Sequence, residues 1–390
     1  MQRLGVFDSG IGGFSIVHNL RQHINADIVF LADHKNLPYG NKDEDLMKEI
    51  LKENLSWFLS KDINHVLLAC NTASTYIDYL RESFPTMRID SIIEITANKF
   101  KDYQNLLILG TDRTVSSKQY NLHLNSEPEY MALSALASLV EENDKEVIKS
   151  YLKTKLSNID NDKKVLLACT HYSLVSKEIN EVINNDLYDS ISAVIDFYKD
   201  LKGSKSLEVY SSANIKVLED QLLSIFDYNV KVLPMSKNLK IVVVSDNHGR
   251  YEPIKQVLSD NFDANAFVHC GDVQLDPSLV SDFYVVNGNN DYYHTYEDQK
   301  LLKIGEVSVY LTHGHKYPRY NRINKIYKEA TSLGANIICF GHEHVYQEVY
   351  KDEVLILNPG SLFYNRDGSG ISYAIIYVED NNITVERVNM

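Results

Sequence analysis

The sequence predicts an α/β protein: a pseudo-symmetric pair of α/β units, then a further α/β domain of different pattern. Two observations carry this. VLLACNTAS at Val66–Ser74 returns as VLLACTHYS at Val165–Ser173, 99 residues on, with its first five letters unchanged. An apolar run bounded by polar residues reads as a buried parallel strand. Each copy ends in a cysteine, at the strand end where open α/β sheets place their ligands. Beyond Leu239, in contrast, short apolar strands recur that end in His, Asp or Asn: KIVVVSDNH, AFVHCGD, FYVVNGNND, VYLTHGH and IICFGHEH.

In chain order, Leu4–Phe7 is a short strand closed by Asp8 and Ser9. Gly10, Gly12 and Gly13 then turn into a helix whose first N–H groups suit an anion. DIVFLAD is a second strand, followed by the loop NLPYGNK. Asp43–Ser60 repeats Leu46, Ile50, Leu51, Leu55 and Phe58 at helical spacing. VLLACNTAS is a strand leading into a helix through Arg81, and SIIEIT reads as a strand. LLILGTDRTV then repeats the opening plan, with Thr114 in its turn. SALASLVEEND reads as a helix bringing Glu141 near its end, and VLLACTHYS closes the second unit. VYSSAN, a helix at Ile215–Phe226 and the strand VKVLP return the chain to the first unit.

The chain has 390 residues, more than one typical core, which implies two or three domains. Its 39 Lys and Arg stand against 53 Asp and Glu, a net charge of −14. That argues against a broad nucleic-acid surface. The opening MQRLGVFDSG lacks the apolar stretch of a leader peptide, and no run reaches the roughly 18–20 apolar residues of a membrane helix. Cys70, Cys169, Cys270 and Cys339 form no Cys-x-x-Cys pair, against a disulfide framework or a structural zinc. The expectation is a cytoplasmic protein with small-molecule partners and no membrane association. A homodimer is left open.

Two thiols at twin strand ends suit stereoinversion at an acidic C–H. One thiolate removes the proton from one face and the other thiol returns a proton to the opposite face. The helix start after each strand is expected to lower both thiol pKa values. His171 is expected to assist Cys169, and Asp8 to orient Cys70.

FDSGIGG, PYGNK, ACNTAS, GTDRTV and ACTHYS, in this order, resemble the glutamate racemases of the cofactor-independent aspartate/glutamate racemase superfamily. The resemblance implies acid–base roles for Cys70 and Cys169. It implies a glutamate pocket lined by Asp8, Ser9, Pro38, Tyr39, Gly40, Asn71, Thr72, Thr114, Thr170 and His171. It further implies no pyridoxal phosphate, and a role supplying D-glutamate for peptidoglycan, hence for cell-wall biogenesis and cell shape. Two departures stand out: Ile95-Thr96 where the family has Pro-Gly, and no Cys-Pro before Leu139–Glu141. Another amino acid such as aspartate is the alternative substrate.

In the second half, strand-end Asp and His gathered on one rim would make a site for divalent metals. SDNHG, GD, GNND, THGH and GHEH resemble the signatures of calcineurin-like metallophosphoesterases of the small single-domain type. The resemblance implies a four-layer α/β/β/α sandwich. It implies two divalent ions (manganese, iron, zinc or nickel), one held by Asp246, His248, Asp272 and His344. The other would be held by Asp272, Asn289, His313 and His342, with Asp272 bridging. Asn290 stands where many members carry a proton-donating histidine, and His315 is the alternative donor. The competing expectation is a metal-binding scaffold without hydrolytic activity. The expected domains are 1–236, built from 1–95 plus 206–236 and from 96–205, and then 237–390.

Overall fold

The computed structural model describes residues 3–292, 296–380 and 382–390. The chain divides into two compact units, Met1–Tyr210 with Ile225–Tyr228, and Ser211–Ser224 with Asn229–Met390. The expected join at 236 falls inside the second of these.

The first unit holds two sheets. In one, five of the six strands lie side by side in the order Leu207–Ser211, Asp27–Ala32, Arg3–Asp8, His65–Leu68 and Arg88–Ser91. Arg3–Asp8 pairs in parallel with both neighbours, matching Gly5 to Val29 and to Val66. Every residue of Asp27–Ala32 and His65–Leu68 is buried, as parallel strands covered on both faces require. The other sheet runs Glu129–Ala132, Leu106–Gly110, Lys164–Ala168 and Asp186–Tyr188, all parallel. The two sheets repeat one plan. Cys70 follows a strand beside Arg3–Asp8, and Cys169 follows a strand beside Leu106–Gly110, each at the carboxyl edge.

Two local expectations are corrected. SIIEIT is not a strand: Arg88–Ser91 is the strand, and Ile92–Lys99 is a helix. Ser91 caps it by accepting the Glu94 N–H at 3.4 Å. The helix Glu44–Ser60 forms as expected, with Asp43 accepting from the Asp45 and Leu46 N–H groups. Its inner face differs, however. Leu46 is exposed, while Met47 and Asn54 are buried. Asn54 is drawn in because its amide donates to Asp33 at 2.9 Å.

The second unit carries two five-stranded sheets. One runs Phe283–Val285, Ala266–His269, Leu239–Val244, Ser372–Glu379, Asn382–Asn389. The other runs Gln299–Ile304, Val307–Thr312, Ile337–Phe340, Val354–Pro359, Tyr346–Lys351. Ile254 and Val257 of the helix Glu252–Asp260 pack with Val242 and Val244. Ile326 and Ala330 of the helix Arg322–Ser332 pack with Tyr310, Ile338 and Ile356. One helix thus covers one face of each sheet. Ile241, Val243, Ile337 and Cys339, which alternate with those contacts, are buried as well, so the opposite faces are also covered. The layers are those of an α/β/β/α sandwich.

Within the second unit, bonds tie residues before 236 to residues well beyond it. Ile215 N–H donates to the Asn265 carbonyl at 3.0 Å, and Asn214 to the Asp282 carbonyl at 3.0 Å. The Tyr284 hydroxyl donates to Glu219 at 2.7 Å.

Candidate active site and metal centre

A cavity of about 170 Å³ lies in the first unit. Cys70 and Cys169 both line it, with Ser9, Pro38, Tyr39, Gly40, Asn71, Thr72, Thr170 and His171. The parallel registers bring the two strand ends there. Asp8 and Thr114 lie behind the wall. Asp8 is fully buried and accepts from Gly10 N–H and from the Thr170 hydroxyl, each at 3.0 Å. Thr114 is also fully buried and backs Thr111, its N–H donating to the Thr111 hydroxyl at 3.3 Å. Thr111 itself lines the cavity and lies 2.9 Å from the Thr72 hydroxyl.

Cys169 Sγ is 3.8 Å from His171 Nδ1, and His171 Nε2 is 2.6 Å from Glu141 Oε1. The same oxygen accepts the Ile11 N–H at 2.9 Å. A Cβ at position 10 would fall 1.9 Å from it, so glycine there permits the approach. Burial alone would lower the His171 pKa, but its bonds to Cys169 and Glu141 win and hold it well above the usual imidazole value. Burial would raise Glu141, but bonds from His171 and His34 keep it well below the carboxylate range. The pair is an imidazolium and a carboxylate.

The expectation of a lowered thiol pKa fails at Cys70. Burial first, and then the nearby Asp8 charge, push this thiol up to about 12. The helix it caps, Asn71–Ser74, is a single turn, too short for its dipole to offset desolvation. Asp8, expected to orient Cys70, acts on it through its charge. The Cys70 thiol donates to Ser9 Oγ at 3.7 Å. In the ligand-free protein at pH 8, Cys70 is then a protonated thiol. Its alkylation by iodoacetamide, followed by peptide mass spectrometry, should be slow at pH 8. It should speed up about tenfold per pH unit towards pH 11. A Cys70 that reacts at pH 8 as fast as an unstructured cysteine peptide contradicts this.

Residues not foreseen from sequence also shape the cavity. Tyr120 donates its hydroxyl to Asn71 Oδ1 at 2.8 Å, fixing the amide so that Nδ2 is buried with no partner. Such a donor calls for an acceptor. Ser134, Ala137 and Ser138 form part of the wall.

In the second unit the strand ends converge. Asp246, His248 and His344 can each place one ligand atom within 4.8 Å of the others, and so can Asp246, Asp272 and His313. His344 Nε2 is 3.2 Å from Asp246 Oδ1. Asp272 Oδ2 lies 3.7 Å from His248 Nε2 and 3.5 Å from His313 Nε2, facing both groups. Asn289 Oδ1 meets His313 Nε2 at 3.1 Å and His342 Nδ1 at 2.8 Å. All seven residues expected as ligands are thus brought together, and both Asp246 and Asp272 reach across them.

These donors fit divalent cations. Asp246 Oδ1 is buried among the ring nitrogens of His248, His313 and His344, and two carboxylates, an amide oxygen and four imidazoles suit a hard-to-borderline ion. The free ring nitrogens are fixed from behind. His248 Nδ1 meets Gln274 Oε1 at 2.8 Å, His313 Nδ1 donates to the Cys270 carbonyl at 2.7 Å and His344 Nδ1 to the Tyr364 carbonyl at 2.9 Å. Five of the seven residues take left-handed φ values: Asp246 (+55°), His248 (+45°), Asp272 (+57°), His342 (+70°) and His344 (+54°). Each costs on the order of 1–3 kcal/mol, strain that clusters at functional sites. Asp291 helps impose it. Its carboxylate accepts the N–H groups of Asp272, Gln274 and Gly288 at 2.8–2.9 Å, a role the sequence reading missed. Asn290 clamps Asp272 through its N–H at 2.8 Å and its amide at 2.7 Å. The His315 ring is 5.3 Å from the His313 ring, and its Nδ1 is buried without a partner.

Comparison with known proteins follows the same division. The chain is 31% identical over 239 residues to a glutamate racemase of Campylobacter jejuni, covering 56% of this chain and 95% of the relative. The crystal structure of glutamate racemase from that species matches with a TM-score of 0.54 at 26% identity, over 59% of this chain and 100% of that one. The family model of the calcineurin-like phosphoesterase superfamily domain matches residues 239–381. The probable metallophosphoesterase YsnB of Bacillus subtilis is 32% identical over 151 residues, 38% of this chain and 89% of the relative. The chain therefore belongs to the glutamate racemase family through its amino-terminal part and to the calcineurin-like phosphoesterase superfamily through its carboxyl-terminal part.

Proposed function

We propose a bifunctional enzyme: cofactor-independent interconversion of L- and D-glutamate in the first unit, and metal-dependent phosphoester hydrolysis in the second. The observation that carries the first activity is the pair of cysteines lining one cavity from twin strand ends. Cys70 begins as the protonated partner, held to Ser9. Cys169, beside the His171 imidazolium, removes the α-proton as Cys70 delivers its own to the opposite face. The reverse direction exchanges the roles, so the proton count balances. The unpaired Asn71 amide, with Ser9, Thr72 and Thr170, binds the substrate carboxylates. The product D-glutamate would serve cell-wall synthesis in the cytoplasm.

In the second unit, Asp246, His248, Asp272, Asn289, His313, His342 and His344 would hold the divalent ions. Such ions supply Lewis-acid polarisation of a phosphoryl group and a hydroxide nucleophile near neutral pH. The chain's residues orient the ligands, and His315, whose ring is 5.3 Å from that of His313, would pass a proton to the leaving group. The test is to assay one purified preparation for racemisation of glutamate and of aspartate, and for hydrolysis of bis(p-nitrophenyl) phosphate with Mn²⁺ or with chelator. Chelator should abolish only hydrolysis. Aspartate racemised faster than glutamate would redirect the first assignment, and full hydrolysis in chelator would reject the second.

A further inference from the structure

A rigid aromatic–arginine pair stands beside the metal centre, and neither of its members is needed to hold a metal. Phe363 is 38% exposed, on a loop that leaves the strand Val354–Pro359. Its ring centroid lies 5.4 Å from that of His248, edge to face. The Arg250 guanidinium lies over the Phe363 ring at 4.3 Å from its centroid, and donates to the Phe363 carbonyl at 3.3 Å. The loop is pinned to the centre. Ser361 Oγ accepts the Phe363 and Tyr364 N–H groups at 2.9 and 3.0 Å and donates to the Asp246 carbonyl at 2.8 Å. The Tyr364 carbonyl in turn accepts from His344.

Arg250 is exposed, its guanidinium donates to the Phe363 carbonyl, and among the described residues it has no carboxylate within ion-pair distance. In a chain of net charge −14, an uncompensated guanidinium beside a proposed phosphate site is a selective feature. Phe363 covers the guanidinium from one side. A planar ring laid on the side away from Phe363 would complete a ring–guanidinium–ring arrangement.

We propose that Arg250, backed by Phe363, is a specificity subsite for the ester group retained on the phosphate, and that it selects a planar aromatic group, a nucleoside base above all. The inference rests on the phosphoesterase reading, deepening it from phosphoesters in general to nucleoside phosphodiesters. Phosphate charge and base plane are recognised together, since guanidinium supplies both a cation and a stacking surface.

The experiment measures binding by calorimetry to the Mn²⁺-loaded full-length protein, with adenosine 5′-monophosphate and methyl phosphate as probes. Wild type should bind the nucleotide at least tenfold more tightly, the size of one base stacked on one planar group. Arg250→Lys keeps the charge but loses the plane, so the ratio should fall towards one while methyl phosphate binding and Mn²⁺ content change less than twofold. Phe363→Leu should lower the ratio partway. A wild-type ratio near one, absent binding of both probes, or a ratio that survives Arg250→Lys overturns the proposal. Turnover of bis(p-nitrophenyl) phosphate is recorded in parallel. Intact selective binding without turnover would instead reject hydrolysis and leave the subsite standing.

Discussion

Cys70→Ser and Cys169→Ser should each lower the racemisation rate by about 10²–10⁴-fold, the contribution of one positioned acid–base group. A hydroxyl is a far weaker acid than a thiol, so serine can neither give nor take the α-proton at a useful rate. The thiols occupy opposite roles, which makes a sharper expectation available. In D₂O each variant keeps one competent thiol and should still exchange the α-hydrogen of the enantiomer that presents it to that thiol. The two variants should therefore wash deuterium into opposite enantiomers, read by mass spectrometry and chiral chromatography. Exchange of the same enantiomer by both variants, or undiminished racemisation by either, excludes the two-thiol mechanism. The surroundings of the two thiols differ before substrate arrives. Cys70 is held as a thiol by burial and by Asp8, whereas Cys169 contacts an imidazolium that Glu141 stabilises.

What could be read from the sequence follows a physical boundary between local and long-range causes. Val66–Leu68 and Val165–Leu167 were legible because a parallel strand covered on both faces needs an unbroken apolar run. The run Ile92–Thr96 misled for the same reason. Ile92, Ile93, Ile95 and Thr96 are all buried, so the helix shows no amphipathic period. The capping pattern Ser91-x-x-Glu94 was the signal that could have corrected it. Strand-end cysteines and the Asp, Asn and His residues of the second half were visible because their motifs are short. The contacts that tune them were not. Glu141 reaches His171 across 30 positions and Asp291 reaches Asp272 across 19, distances at which no periodicity carries information. The acidity expected of Cys70 failed for a related reason. A helix start is a sequence feature, but desolvation and the Asp8 charge are properties of the folded surroundings.

Asp272→Ala should remove most of the bound metal and lower phosphodiester hydrolysis by at least about 10³-fold, because its carboxylate faces a histidine of each ligand group. Its Oδ2 lies within 3.7 Å of His248 Nε2 and 3.5 Å of His313 Nε2, which belong to the two different groups. Its Oδ1 accepts the Asn290 N–H, and its own N–H is held by Asp291. Hydrogen bonds and nearby histidines hold this carboxyl well below the usual carboxylate range, although burial alone would raise it. It is thus anionic before any cation binds. Removing it leaves His248 and His313 without the charge between them, whereas His344→Ala removes one ligand and leaves Asp272 in place. Metal analysis by mass spectrometry should therefore show near-complete loss for Asp272→Ala and a smaller loss for His344→Ala. Racemisation by both variants should stay within about twofold of wild type, since every residue lining the thiol cavity belongs to the first unit. An Asp272→Ala protein that keeps two equivalents of metal, with hydrolysis intact, would move the shared position to Asp246. That carboxylate has Oδ1 within 4.0 Å of His313 Nε2 and 3.2 Å of His344 Nε2, the geometry needed to take the role.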